Sequence, residues 1–429
     1  MRYSYLNKIA VFSLALAVLL PPLAAYAEEE ITLTLDEAVA VALRDNRDIL
    51  IKTEDIKKAK AGITGARSAL YPSFTFSGGW SYTRGYYDKD ISQYETQSSF
   101  KQYLFRGGKT ASSIAENRYK TEASEAVLEK TKLDIIVDVS KSFYAYLLAS
   151  ELAELNKGIL TNTEAHLASL KERYQNGEVS ESEILQVEES LASVKEAWEF
   201  SVNQTQTSLI LLKNLLFIDE KVGVKPEGEF IYAPKEISYD ESFLKAMQQR
   251  PEIRQYEAQV KANKEGVKVA RADALPSAYA SWDYYSRSHA VVSTINTKNW
   301  NDYNILGVTF EWPVFDGWST RAKVEEAMAE LRSSQLGKEK VIKDVALDIK
   351  NAYINLKDSI SRIRTSDANI IYYKDNLYVI KEKYRQGIAS FLDLDDASLS
   401  YRISEFNRKQ SIYDYIVAKI NFERASGGV

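Results

Sequence analysis

The chain has 429 residues, 55 Lys plus Arg against 60 Asp plus Glu for a formal charge of -5, no cysteine and two histidines. Without cysteine there is no disulfide framework, no thiolate metal site and no lipid-modified N-terminal cysteine, and the acidic balance argues against nucleic acid as a partner. No nucleophile elbow, phosphate loop or zinc signature occurs, so no enzyme activity, catalytic residue, cofactor or metal ligand is expected, and His166 and His289 are read as surface residues.

Arg2 and Lys8 precede an apolar run from Ile9 to Leu23, followed by the small-x-small series Ala25, Tyr26, Ala27. This predicts a secretory signal peptide over residues 1–27. A membrane anchor fits poorly, because Pro21 and Pro22 interrupt the run and it falls short of the ~20 residues that a span needs. Loss of Arg2 and Lys8 with that segment takes the formal charge to -7.

Next comes a helix signal. Thr34 with Glu37 forms an S/T-x-x-E capping box, and the alanine-rich stretch behind it is predicted to run as a helix to Pro72, which stops it. Beyond Pro72 the period changes to two. In FTFSGGWSYT, Phe74, Phe76, Trp80 and Tyr82 share one face, and Ser73, Thr75, Ser77, Ser81 and Thr83 the other. An aromatic face on a segment of ~10 residues fits a transmembrane strand with those side chains toward lipid. The next strand, ending in LFRGG, fits less well, since Ser98 and Gln102 interrupt its outward face.

From Lys109 to Tyr174 only Gly158 interrupts good helix formers, and a continuous helix of that length reaches ~100 Å. Gly177 permits a reversal. After it, Ile184, Val187, Leu191, Val194 and Trp198 recur at spacings of three and four, the pattern of a coiled-coil seam.

The whole series then repeats. TLDEAVAVAL from Thr34 aligns with SYDESFLKAM from Ser238, and GITGARSALYPS from Gly62 with GVKVARADALPS from Gly266, both at an offset of 204. LFRGG is answered by VFDGW, and RYQNGEVSESE from Arg173 by KYRQGIASFLD from Lys383, at an offset of 210. The change of six places a longer loop in the second strand hairpin. Before VFDGW, Leu306, Val308, Phe310 and Trp312 alternate with Gly307, Thr309 and Glu311, as lipid-facing positions would. The expected organisation is a first repeat over 28–217, a linker over 218–237 and a second repeat over 238–429, each with a helix, a strand hairpin and a long helical hairpin. Four strands cannot close a lumen alone, and open edges are not tolerated in lipid, so several chains are expected to close the sheet together.

With these motifs in this order, residues 31 to 425 resemble the outer-membrane efflux protein family, the TolC-like channel proteins of Gram-negative bacteria. The resemblance rests on LTLDEAVAVAL, the two AR-x4-PS stretches, LFRGG and VFDGW, and the two Y-x-x-G tips with their following acidic residues. It implies a mostly α fold with a small β part: a homotrimer whose 12-stranded transmembrane β-barrel, four strands per chain, continues into a long periplasmic α-helical barrel. The implied function is a passive exit duct in the outer membrane, coupled by a periplasmic adaptor protein to an inner-membrane pump. By spacing from Gly387, Asp393 and Asp396 match the acidic rings of the family's narrow periplasmic entrance. Tyr384 and Glu183 match a gate link, whose arginine partner is replaced here by Ala389. The tips Asn176, Gly177, Glu178 and Gln386, Gly387, Ile388 match the adaptor-docking ends.

For FLDLDDAS, a plain N-terminal helix cap is the competing expectation. For the whole chain, the competing readings are a periplasmic coiled-coil adaptor without a barrel, which leaves the aromatic alternation unexplained, and a secreted enzyme, for which no reactive constellation is present.

Overall fold

The computed structural model describes residues 31–86, 89–234, 237–291 and 300–428. The predicted signal segment lies outside the described residues, as does the side chain of His289. The elements are β1 (Ile31–Leu33), α1 (Leu35–Asp45), α2 (Arg47–Ser68), β2 (Ser73–Tyr86), β3 (Lys89–Arg106), α3 (Lys109–Gln175) and α4 (Glu181–Leu216). They continue as β4 (Val224–Pro226), α5 (Tyr239–Gln249), α6 (Pro251–Ala272), β5 (Ser277–Val291), β6 (Trp300–Glu311), α7 (Ser319–Arg385) and α8 (Phe391–Ala425).

The helix expected from Thr34 to Pro72 is broken in two, and its counterpart breaks at the equivalent place. Asn46 sits in extended backbone and its side chain accepts from Asp48 N–H, restarting the helix as α2. Arg250, 204 positions later, takes the same conformation before Pro251, because a proline disfavours helical backbone in the residue before it. The Thr34–Glu37 capping box forms fully. In the second copy only one leg forms, with Glu241 N–H donating to Ser238 Oγ at 3.5 Å. β1 was not anticipated; it pairs in parallel with β4, tying the chain start to the linker.

α3 and α7 each run 67 residues, ~100 Å at about 1.5 Å per residue. The predicted seam on α4 is its half-buried face and packs on α3. Two apolar cores sit partway along the long helices, where the short helices lean on them. One gathers Ala38 and Ala42 of α1, Val139 and Phe143 of α3, and Leu212 and Leu216 of α4. The other gathers Ala246 of α5, Val345, Ile349 and Leu356 of α7, and Ile412 and Tyr415 of α8. The linker straps across both: Gly228 lies against Phe143 and Leu147, and Tyr415 OH donates to Ala233 O at 2.9 Å.

The four long strands form one antiparallel sheet in the order β2-β3-β5-β6, so the two repeats join at the β3–β5 pair. Two residues separate β2 from β3 and eight separate β5 from β6, which puts the six-residue difference between the repeats at that turn. β3 spans 18 residues despite Ser98 and Gln102, because it is paired on both sides. LFRGG and VFDGW turn each hairpin into its long helix through left-handed backbone: Gly107 and Gly108 at φ +58° and +82°, Gly317 and Trp318 at +66° and +72°. Glycine suits such positions. Trp318 holds one as a non-glycine, its ring edge-on to Phe315 at 5.9 Å.

Candidate functional site

The sheet has two unlike faces. Register places Phe74, Phe100, Trp282 and Leu306 in one row across all four strands, and they are 62, 42, 43 and 81% exposed. Phe76, Trp80 and Tyr82 on β2 and Val308 and Phe310 on β6 share that face and are also exposed, and Trp312 follows just beyond β6. Phe100 and Trp282 were missed in sequence, although both follow the same alternation. The opposite face is polar and charged. Arg287 pairs with Glu95 at 2.7 Å, Gln97 Nε2 donates to Asp283 at 3.2 Å and Tyr285 OH at 3.0 Å, and Tyr285 stacks on Tyr303 at 5.0 Å.

At the far ends of the long helices, both hairpins turn alike. Gly177 and Gly387 lie at φ +75° and +72°. In each tip the glycine N–H donates to the tyrosine carbonyl three residues back (Tyr174, 2.9 Å; Tyr384, 3.0 Å), and the next N–H reaches the residue before that tyrosine (Arg173 and Lys383, both 2.9 Å). This is a Schellman closure, which needs left-handed backbone at the glycine. Asn176, Glu178, Gln386 and Ile388 flank the two glycines and are all exposed. Replacing Gly387 with valine is expected to destabilise the tip by about 1–2 kcal/mol, read as faster proteolytic nicking between α7 and α8. Gly65, in α2 with open space around it, is the control: alanine there is expected to stabilise by about 0.5–1 kcal/mol.

The returning helices begin with a second matched device. Ser180 donates from N–H (3.4 Å) and Oγ (3.1 Å) to Glu183. Ser390 donates from N–H (2.8 Å) and Oγ (2.7 Å) to Asp393, and Asp393 N–H donates back to Ser390 Oγ at 3.1 Å. The hydrogen bonds from Ser390 hold the Asp393 carboxyl below the ordinary aspartate value. Asp393 and Glu183 are thus equivalent capping-box carboxylates, so the cap expected for FLDLDDAS forms at Asp393, and Glu183, expected at a gate link, bonds Ser180. The S-x-x-D/E spacing is present in both repeats, at Ser180–Glu183 and Ser390–Asp393, but was not among the sequence expectations. Tyr384 lies at the end of α7 and is 41% exposed.

Asp396 is exposed one turn beyond Asp393, and Asp395 is half-buried. With His166, Arg173, Glu183 and Arg402 they line a cleft of about 540 Å³ between the two hairpins. The cleft ends where α8 is fastened to α3. A Cβ on Gly158 would lie 2.6 Å from an Arg402 nitrogen, so the lone glycine of that helix makes room for a guanidinium. Further from the tips, Lys409 pairs with Glu151 at 2.6 Å. Among the described residues no group of three His, Cys, Asp or Glu could hold a metal ion, and no helix is long and apolar enough to cross a membrane.

The sequence matches the family model described as "Outer membrane efflux protein" over residues 38–216 and 244–428. It is 24% identical over 401 residues to the probable outer membrane lipoprotein SilC of Salmonella typhimurium, covering 91% of this chain and 85% of that protein. It is 20% identical over 371 residues to the outer membrane protein TolC of Vibrio cholerae, covering 85% and 84%. The Campylobacter jejuni CmeC outer membrane channel shares the fold at a TM-score of 0.78 and 19% identity, over 92% of this chain and 85% of that one.

Proposed function

Because this chain belongs to the outer membrane efflux protein family, we propose that it is the outer-membrane exit duct of a tripartite efflux or type I secretion system, with a periplasmic adaptor protein and an inner-membrane pump as partners. The observation that carries this is the two-faced sheet, apolar and exposed on one side, charged on the other, and continuous with the ~100 Å helices. A four-stranded sheet leaves β2 and β6 as open edges, and in lipid those edges must be paired. Three chains supply the twelve strands of a closed barrel. The row through Phe74 and Leu306 then meets lipid, and the Glu95–Arg287 face lines the lumen.

On the same proposal, the family-model match over two segments supports repeats at 28–217 and 238–429 joined by the linker 218–237. The tips around Gly177 and Gly387 are the adaptor-docking ends. Asp393 and Asp396 ring the periplasmic entrance, and Tyr384 with Glu183 contributes to closing it.

The test is reconstitution. The purified chain should run as a detergent-dependent trimer that dissociates on heating, and should conduct ions in planar bilayers. Val308→Arg should impair insertion, because a charge on the lipid face is destabilising in every chain, by up to about 2–4 kcal/mol at the midplane and less toward the interface. Thr309→Arg, one residue along on the lumen side, should insert. A monodisperse monomer without detergent, or equal effects of the two substitutions, would sink the proposal.

A further inference from the structure

We propose that the periplasmic mouth of the barrel holds a binding site for small aromatic carboxylates, formed by Lys101, Tyr103, Arg106 and Tyr279. It rests on the duct reading, since the polar face of the sheet is lumenal only in a closed barrel.

The four residues fall at the strand ends nearest the long helices. Tyr103 pairs with Tyr279 across β3 and β5, and Arg106 with Ser277. Both tyrosines belong to the polar face, with Asp283, Tyr285 and Arg287 further along the same strand. The Lys101 ammonium lies 3.7 Å from the Tyr279 ring centre and 4.9 Å from that of Tyr103. The Arg106 guanidinium carbon lies 4.5 Å from the Tyr103 ring centre, and the two rings meet edge to face at 5.8 Å. Two cations are therefore held on aromatic surface and not by carboxylates. Among the described residues no Asp or Glu comes within 4.0 Å of either. Glu311 is in the same row as Arg106 with Ser277 between them, two strand spacings or about 10 Å away. Another cation of that face, Arg287, is already paired with Glu95.

This arrangement suits one ligand chemistry. A guanidinium is planar and weakly hydrated, and stacks on aromatic rings. The Arg106 guanidinium already lies over the Tyr103 ring on one side, so its other side can take a second ring while its N–H groups bind a carboxylate. Lys101 supplies a second positive charge nearby. A free acetate finds the charge without the stacking surface, and a neutral arene finds the surface without the charge. Closure of three chains sets three such sites around the lumen.

The experiment titrates planar-bilayer conductance of the native trimer with benzoate, acetate and benzyl alcohol from the periplasmic side. Benzoate should reduce conductance saturably, and the other two should not at equal concentration. In the double variant Lys101→Gln/Arg106→Gln the concentration of benzoate needed should rise at least tenfold. Arg106→Lys keeps the charge and loses the planar stack, and should lose the preference for benzoate over acetate. Each variant is referred to its own conductance without additive and first shown to be a heat-stable trimer. Equal block by acetate, or benzoate block unchanged in the double variant, would overturn the site. A native trimer that does not conduct would instead overturn the duct reading on which the site rests.

Discussion

Replacing Arg424 with alanine is expected to destabilise the helical part by about 2–3 kcal/mol, the cost of removing charge-assisted hydrogen bonds from a largely buried ionic cluster. Arg424 lies in the last turn of α8. Its Nε donates to Asp134 of α3 at 2.7 Å, and its Nη2 donates to Glu252 of α6. Glu252 also accepts from Arg250 Nε at 2.9 Å, and Arg250 in turn donates to Ala425 O at 3.2 Å and Asp348 of α7 at 3.4 Å. The side chains of Arg250, Glu252 and Arg424 are 5, 12 and 14% exposed. One cluster thus pins the end of the second repeat to a helix of the first, and losing Arg424 leaves the buried Glu252 carboxylate with Arg250 alone. The readout is the temperature at which the heated trimer dissociates, with Glu252→Gln alone and combined to isolate the coupling. A change below about 1 kcal/mol for Arg424→Ala would show that the cluster is incidental, as exposed ion pairs commonly are.

The same cluster fixes the sign of a pH dependence. Burial raises the Glu252 carboxyl, but the hydrogen bond from Arg424 and the charges of Arg250 and Arg424 outweigh it and hold the group below the ordinary glutamate value. Asp134 is held low in the same way, burial being outweighed by hydrogen bonds from Lys130 and Arg424. A depressed folded-state carboxyl contributes stability that is in place above its unfolded value and is lost as pH falls through the folded one. Acid should therefore loosen the native protein more than it loosens Arg424→Ala.

Block by a trivalent hexaammine cation from the periplasmic side is expected to weaken at least tenfold when Asp393 and Asp396 are both replaced by alanine. Three copies of each would crowd like charges at one constriction, where a multivalent ion gains attraction from several at once. The capping role of Asp393 separates two explanations of such a result. Ser390→Ala removes the hydroxyl of the box at about 1 kcal/mol and leaves every carboxylate in place. It should keep the block, as should Asp395→Ala, whose half-buried side chain lines the cleft. If Ser390→Ala abolishes block as fully as the double substitution, FLDLDDAS serves as a helix start and the constriction lies elsewhere.

Much of this protein was legible in the sequence because its determinants are local and occur twice. A period of two before LFRGG and VFDGW makes strands, proline-free stretches make helices of 67 residues, and Gly177 and Gly387 make tips, since only short-range sterics and hydrogen bonding are needed. The two breaks at Asn46 and Arg250 are also local, and a proline or a capping amide marks each. What only the tertiary structure decided depends on residues far apart in the chain. β1 is a strand because Val224 lies beside Ile31. Gly158 is a glycine because Arg402, on the other hairpin, crosses it. Arg424 is one basic residue among 55 in the sequence until Asp134 and Glu252 close around it. Which cations of the sheet have a carboxylate partner, like Arg287, and which lie on aromatic rings alone, like Lys101 and Arg106, follows from strand register across the two repeats, and register is fixed by long-range pairing that no single segment encodes.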